Sequence, residues 1–262
     1  MKITVCSPSY KRPKVETLKY LPFLKVYVDE KEYEDYIREN KEFEKNIVKC
    51  PKGVQGNVSR VRNYILEKEF ENGADAVCIV DDDLKGIYRF KVDEKTKYGY
   101  IKEKIEKDRF MDFLEKYTYI CFELGYKLWG VNCNSDALSY RHYTPFSLTS
   151  IVLGPFSVHL NNEIRYDENL PLKEDYDLAI QHLNKNRGIL RLNGYFYDCK
   201  QSENKGGCAT YRNMIREKEQ FELLRKKWGS QIVKYDKGKR AKANKEKMFD
   251  YNPVIYIPIR GV

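Results

Sequence analysis

The feature that most constrains this chain is Val77-Cys78-Ile79-Val80-Asp81-Asp82-Asp83, an apolar run of strand type that ends abruptly in three carboxylates. Asp81 and Asp83 form an Asp-x-Asp pair. Like charges crowded at a strand end repel one another, which favours a cation that neutralises them. Carboxylate oxygens are hard ligands suited to Mg2+ or Mn2+, and such ions bridge readily to substrate phosphates. The bland alternative is an acidic turn after a buried strand. The pattern points first to an enzyme that handles phosphate groups.

The rest of the chain reads as alternating strands and helices. Residues 2–7, Leu24 to Val28 and Ile47 to Cys50 have the β-branched, alternating character of strands, and the acidic strand at 76–80 is the fourth. Between them, Glu30 to Phe43 is expected as a polar helix. Val58, Val61, Ile65 and Phe70 recur at roughly helical spacing before Gly73. This order predicts βαβ units and a largely parallel sheet. Farther on, a helix is expected over 102–125, and strands over Leu128–Cys133 and Ser147–Leu153. A helix opened by acidic residues should run from Glu174 to Leu183, followed by short strands at Ile189–Leu192 and Tyr195–Tyr197. Residues 211–228 read as a basic helix, and the Lys237–Lys247 run has little to bury. The expected organisation is an α/β domain over 1–210 with a basic helical extension over 211–262 that packs on it.

Composition narrows the function classes. The chain has 262 residues, enough for one substantial core. No apolar stretch approaches the roughly 20 residues of a membrane span, and no signal-peptide core opens the chain. A cytoplasmic protein is therefore expected. The seven cysteines are scattered and lack a Cys-x-x-Cys pair, which argues against a disulfide scaffold or a structural zinc site. Net charge is +9, but the segment Arg212–Lys247 alone holds 13 Lys/Arg and 5 Asp/Glu, a net of +8. A basic end on a nearly neutral body suits an anionic partner such as nucleic acid or an anionic glycan; a solvated helix face explains it equally.

In an open α/β sheet, ligands bind beyond the carboxyl ends of the strands. Three features converge there: the loop after strand one with Ser9, Tyr10 and Arg12, the isolated Asp29 after strand two, and Asp81–Asp83 after strand four. Pro8-Ser9-Tyr10-Lys11-Arg12-Pro13, a helix bearing Arg60-x-Arg62-Asn63, the Asp triple and a later Glu174-Asp175 dyad resemble glycosyltransferases of the GT-A fold over roughly residues 2–200. With Thr17-Leu18-Lys19-Tyr20-Leu21-Pro22 and Lys173-Glu174-Asp175-Tyr176-Asp177-Leu178, the chain is similar to the bacteriophage TET-associated glycosyltransferases.

That resemblance implies a Rossmann-like, mostly parallel central sheet flanked by helices. It implies transfer of a sugar from a nucleotide sugar, UDP-sugar first, onto a hydroxymethylated pyrimidine in DNA. Asp81 and Asp83 would hold Mn2+ or Mg2+, with Asp82 able to substitute for either. Ser9, Tyr10, Arg12, Asp29, Arg62, Asp81 and Asp82 would bind the donor, Asp29 at the nucleoside and Arg62 at the diphosphate. Asp175 would be the base that takes the acceptor proton if configuration inverts, with Glu174 orienting or binding the acceptor.

Other readings of the same residues stay open. Asp29 can be a helix cap, Arg62 a surface ion-pair partner, and the dyad an acidic first helical turn, a task Asp177 could share. His142, His159 and His182 lack metal-ligand spacing and read as core or surface histidines. Trp129, Asn132 and Asn134 could line an acceptor pocket, although Trp129 suits a core, and Gly206-Gly207 could form a hinge. Competing functions are a glycosyltransferase acting on a bacterial glycan or lipid-linked saccharide, a nucleotidyltransferase, and a non-catalytic DNA-binding module. The second expects a Gly-rich loop after strand one, and Ser7–Pro13 has no glycine.

Overall fold

The computed structural model describes residues 1–199, 207–236 and 251–257. Gly206, the Lys237–Lys247 run and the residues beyond Ile257 lie outside the described residues.

Two apolar layers sandwich one large sheet, and alternation along each strand decides which layer a side chain joins. In the fourth strand, β4 (Ala76–Val80), Ala76, Cys78 and Val80 face one layer and Val77 and Ile79 the other. All five are buried, so the strand must be covered on both sides. β1 (Ile3–Pro8), β2 (Lys25–Asp29) and β3 (Ile47–Cys50) continue the sheet on one side of it, all parallel. One layer is closed by α1 (Tyr33–Glu39) and α3 (Phe110–Glu123), which contribute Tyr36, Phe110, Leu114 and Cys121. The other is closed by α2 (Val58–Glu71) and α4 (Glu174–Asn186), through Val61, Ile65, Leu178 and Leu183.

The remaining strands are β5 (Leu84–Val92), β6 (Tyr100–Lys104), β7 (Leu128–Asn132), β8 (Phe146–Ser147), β9 (Phe156–Leu160) and β10 (Leu190–Cys199). Their order across the sheet is β3-β2-β1-β4-β9-β7-β10-β5-β6, with β8 on β10. β1 to β4, β6, β7 and β10 run one way, and β5, β8 and β9 the other. The chain is thus a mixed α/β fold with a central, mostly parallel sheet flanked by helices.

Several local expectations change. The helix foreseen from Glu30 to Phe43 breaks at Asn40, whose side chain donates to the carbonyls of Pro13 (2.6 Å) and Tyr36 (2.8 Å) and accepts from Val15 N (3.2 Å). Ser147–Leu153 is not a strand beyond Ser147. There Ser147 Oγ accepts from Ser150 N (3.1 Å) and bonds its hydroxyl (2.6 Å), a local turn that competes with strand pairing. The strand forms instead after Gly154-Pro155, as β9. The helix expected over 102–125 begins only at Phe110, because Tyr100–Lys104 pairs with β5. The two short strands after Gly188 are one, β10, with an irregular register between Leu192 and Phe196.

The basic helix, α5 (Met214–Trp228), docks against α4. Phe221 and Leu224 are buried with Leu170, Ile180 and Val233. Asp177, fully buried, accepts from Trp228 Nε1 (2.7 Å) and pairs with Lys227 (2.9 Å). A short hairpin of β11 (Val233–Tyr235) and β12 (Pro253–Ile255) follows. Truncating Phe221→Ala should cost about 3–5 kcal/mol of unfolding free energy in urea denaturation. A loss well below about 1 kcal/mol would show that α5 is not part of the cooperative fold.

Candidate active site

Strand order reverses at β1 and β4: from β1 the sheet grows toward β2 and β3, and from β4 toward β9. A crevice opens at such a switch point, beyond the strand ends. Register explains which residues meet there. Cys6 is paired with Ile79, so three residues on, Ser9 comes level with Asp82. Ser9 Oγ donates to Asp82 and accepts from Tyr36 Oη (2.8 Å). Arg12 pairs with Asp82 and reaches Asp83 Oδ2 at 3.2 Å. Thr17, which the sequence offers only as part of a family-like motif, pins the acidic turn: its hydroxyl donates to Asp81 O (2.7 Å) and accepts from Leu84 N (2.8 Å).

The crevice is a cavity of about 720 Å3, lined by Ser9, Tyr10, Arg12, Gln55, Arg62, Asp81–Asp83, Glu174 and Asp175 among others. Within it, Asp82 is buried and both its oxygens are engaged, whereas the Asp81 side chain keeps 37% of its exposure. Burial pushes the Asp82 carboxyl up to about 7, against the pull of Arg12 and Ser9.

Arg62 joins the two acidic clusters. It sits in the second turn of α2, whose start is capped by Asn57 accepting from Ser59 N (3.0 Å) and Arg60 N (3.3 Å). From there its guanidinium reaches Asp81 Oδ1 (3.2 Å) and Glu174 Oε1 (3.1 Å). Burial opposes its charge, but Tyr166, Glu174, Asp81 and Asp175 together more than offset this and raise its pKa. Its Nε is buried with no hydrogen-bond partner among the described residues.

Glu174 and Asp175 open α4 in this cavity. Asp175 is oriented by two backbone donors, Gly154 N to Oδ2 (3.0 Å) and Tyr176 N to Oδ1 (2.8 Å). Beneath the dyad, Lys173 is buried against Glu217 of α5, which Arg212 also meets at 3.0 Å. Lys173, Arg212 and Glu217 all line the cavity, so α5 supplies part of its wall. No local pattern in the sequence singles these three out, because their meeting depends on how α5 docks.

Not every expected residue gathers here. Asp29 does not line the cavity; its Oδ1 accepts from Lys31 N (2.9 Å), as a turn-capping aspartate does. Trp129 is fully buried, donating to Thr118 Oγ1 (3.1 Å), while Cys133 and not Asn132 or Asn134 lines the cavity. His159 and His182 are buried, and burial lowers the His182 pKa to about 3. None of the three histidines lines the cavity.

The charged residues of the lining are four cations (Arg12, Arg62, Lys173, Arg212) and six carboxyl groups (Asp81, Asp82, Asp83, Glu174, Asp175, Glu217), of which Asp82 and Glu174 are both pushed up to about 7. Among the described residues no three His, Cys, Asp or Glu side chains are grouped as a metal cage. Asp81 and Asp83 nevertheless fit Mg2+ or Mn2+ bound through one or two carboxylates, the rest of the shell coming from water and substrate phosphate.

No protein-family model matches the chain, and no curated protein matches it. Among solved structures it is similar to S. aureus TarS 1-349 in complex with UDP, at 17% identity over 75% of this chain and 59% of that one, with a TM-score of 0.46. It is also similar to S. aureus TarS, at 16% identity over 86% of this chain and 39% of that one, with a TM-score of 0.46. A third similarity is to CMP:2-keto-3-deoxy-manno-octonic acid synthetase complexed with CTP, at 8% identity over 86% and 100% of the two chains, with a TM-score of 0.38. The chain thus spans 59% and 39% of the lengths of the two TarS chains.

Burial and the neighbouring Asp175 push the Glu174 carboxyl up to about 7, with Arg62 pulling the other way. An acid whose folded pKa is raised stabilises the fold most below its unfolded value, about 4.3. That contribution is lost as pH rises through about 7. Relative to Glu174→Gln, the melting temperature of the ligand-free protein should therefore fall between about pH 5 and about pH 7, since the buried His159 and His182 act alike in both. A difference between the two proteins that does not change with pH would show that Glu174 is not held protonated.

Proposed function

We propose that the protein is a glycosyltransferase that moves a sugar from a nucleotide sugar to a hydroxyl acceptor. The observation that carries the reading is Arg62, which spans Asp81 and Glu174 and so brings a metal-type carboxylate cluster and a backbone-oriented carboxylate into one cavity. A phosphate subsite and a candidate base side by side are what sugar transfer from a diphosphate requires.

In this reading Asp175 is the base. Its carboxylate, held by Gly154 N and Tyr176 N, takes the proton of the acceptor hydroxyl. The acceptor oxygen forms a bond to the anomeric carbon as the bond from that carbon to the diphosphate oxygen breaks. The sugar is inverted and the nucleoside diphosphate leaves with the bonding electron pair. Arg62 and Arg12 line the cavity and meet the negative charge that develops on the diphosphate. A divalent ion on Asp81 and Asp83, when bound, would neutralise the same leaving group. Glu174 holds Arg62 in register.

The acceptor we propose is a hydroxymethylated pyrimidine in DNA. What supports it is the position of α5 and of the residue pair before it: Glu217 and Arg212 line the cavity, and Arg216, Lys218 and Lys226 of α5 are exposed. Exposed cations beside the cavity would grip phosphates, and the target base would leave its stack to reach the cavity.

The test is transfer of labelled sugar from a panel of nucleotide sugars, with Mn2+, to DNA containing 5-hydroxymethylcytosine or 5-hydroxymethyluracil. Asp175→Asn should lower the rate by about 10²- to 10⁴-fold, and Asp83→Ala should nearly abolish it. Transfer that survives both substitutions would remove the mechanism. Transfer to free glycans but not to either DNA would remove the DNA acceptor alone.

A further inference from the structure

The cations of the cavity lining are all committed. Arg12 meets Asp82, Arg62 meets Asp81 and Glu174, and Lys173 and Arg212 both meet Glu217. One arginine beside the cavity is not. Arg191 lies in β10, opposite Gly130 of β7 and Ser147 of β8. Its neighbours Leu190 and Leu192 enter one apolar layer, so Arg191 projects from the other face of the sheet. It is half-buried, yet among the described residues no carboxylate pairs with it. Burial pulls its pKa down, and only the Cys133 thiol opposes this. In Arg12 and Arg62 the reverse holds, and neighbouring acids outweigh burial.

Hydrogen bonds aim the Arg191 side chain. Its Nε donates to Asn193 Oδ1 (3.0 Å), and Asn193 Nδ2 donates to Thr144 O (2.9 Å), an acceptor that fixes the orientation of the amide. The side chain is thereby drawn along β10 toward residue 193, the direction in which the parallel strand β7 ends at Asn132. Its terminal nitrogens, Nη1 and Nη2, make no hydrogen bond with the described residues. Asn132 shares the face of Arg191, because Trp129 and Val131 enter the opposite layer. Its Oδ1 accepts from Asn134 N (3.1 Å), which leaves its Nδ2 as a second donor with no partner among the described residues. The next residue, Cys133, lines the cavity. Burial raises its thiol pKa, Arg191 lowers it and Asp175 raises it, so both charges lie within electrostatic reach of one thiol. The uncommitted donors therefore flank the part of the cavity next to Asp175. A planar guanidinium with two free nitrogens suits the two unesterified oxygens of a phosphodiester.

We propose that Arg191, assisted by Asn132, forms a phosphate subsite on the acceptor side of the cavity. It holds a phosphodiester flanking the target nucleotide while the hydroxyl of that nucleotide meets Asp175. The proposal rests on the DNA-acceptor reading given above.

The test is calorimetric binding of single-stranded oligonucleotides, each with one 5-hydroxymethylcytosine, to the full chain. In one set a linkage flanking the target nucleotide is a neutral methylphosphonate; in a control set the methylphosphonate lies several linkages away. For the unaltered protein, one of the two flanking replacements should weaken binding at least about tenfold, as loss of a hydrogen bond to a charged group does. In Arg191→Met the same replacement should cost little more than the distant one, while Arg191→Lys should retain part of the effect. Equal binding of flanking and distant methylphosphonates by the unaltered protein would overturn the proposal without any variant. So would a flanking effect that Arg191→Met leaves intact, or binding of a poly(alditol phosphate) chain but of no DNA. UDP binding in the presence of Mn2+, measured alongside, keeps the outcomes apart. If UDP binds and the flanking effect is missing, the donor site stands and only the subsite falls. If UDP does not bind, the glycosyltransferase reading falls on its own measurement.

Discussion

The ion pairs of Arg62 are the constraint on which the site depends. A buried guanidinium is expensive to desolvate and persists only when carboxylates meet it in good geometry. Here the carboxylates come from two places far apart in the chain, the tip of β4 and the first turn of α4. Their separation is consequently set by the span of one planar fork. Remove the arginine and two carboxylates face each other in a poorly hydrated crevice. Keep it, and the end of the sheet is tied to the helix that carries Asp175.

The acidic triple divides its labour. Asp82 is turned into the protein, where Ser9 and Arg12 use its two oxygens to tie the β1 loop to the end of β4. Asp83 is buried beside the same Arg12, and Asp81 alone keeps substantial exposure in the cavity. The result is a wall in which carboxylates outnumber cations, six to four.

The C-terminal helix is part of the same machinery. Asp177, an acid in the same first turn as the dyad, is spent on Trp228 and Lys227 of α5 and on Gln181 of its own helix. Lys173, one residue before Glu174, is spent on Glu217. The turn that presents Glu174 and Asp175 to the cavity is thereby held from behind by α5. A basic segment that reads as an appendage in the sequence closes one side of the site.

Much of this was legible in the residues. The apolar run before Asp81 required a strand covered on both faces, because no polar residue interrupts it. The βαβ rhythm of the first 80 or so residues followed from periodicity and turn chemistry, and it put Ser9, Arg12 and the Asp triple at one end of a sheet. Where local chemistry competed with pattern, the reading slipped. Asn40 broke a helix by bonding three backbone groups, and the Ser147–Ser150 turn displaced a strand beyond Pro155. What the chain order alone could not decide was long-range. Arg62 chose Asp81 and Glu174, Asp177 went to the scaffold and Asp175 to the cavity, and Asp29 was left outside the cavity lining. Those choices depend on strand register and on the angle at which helices dock, which are set by packing among residues distant in sequence and leave no mark in any local pattern.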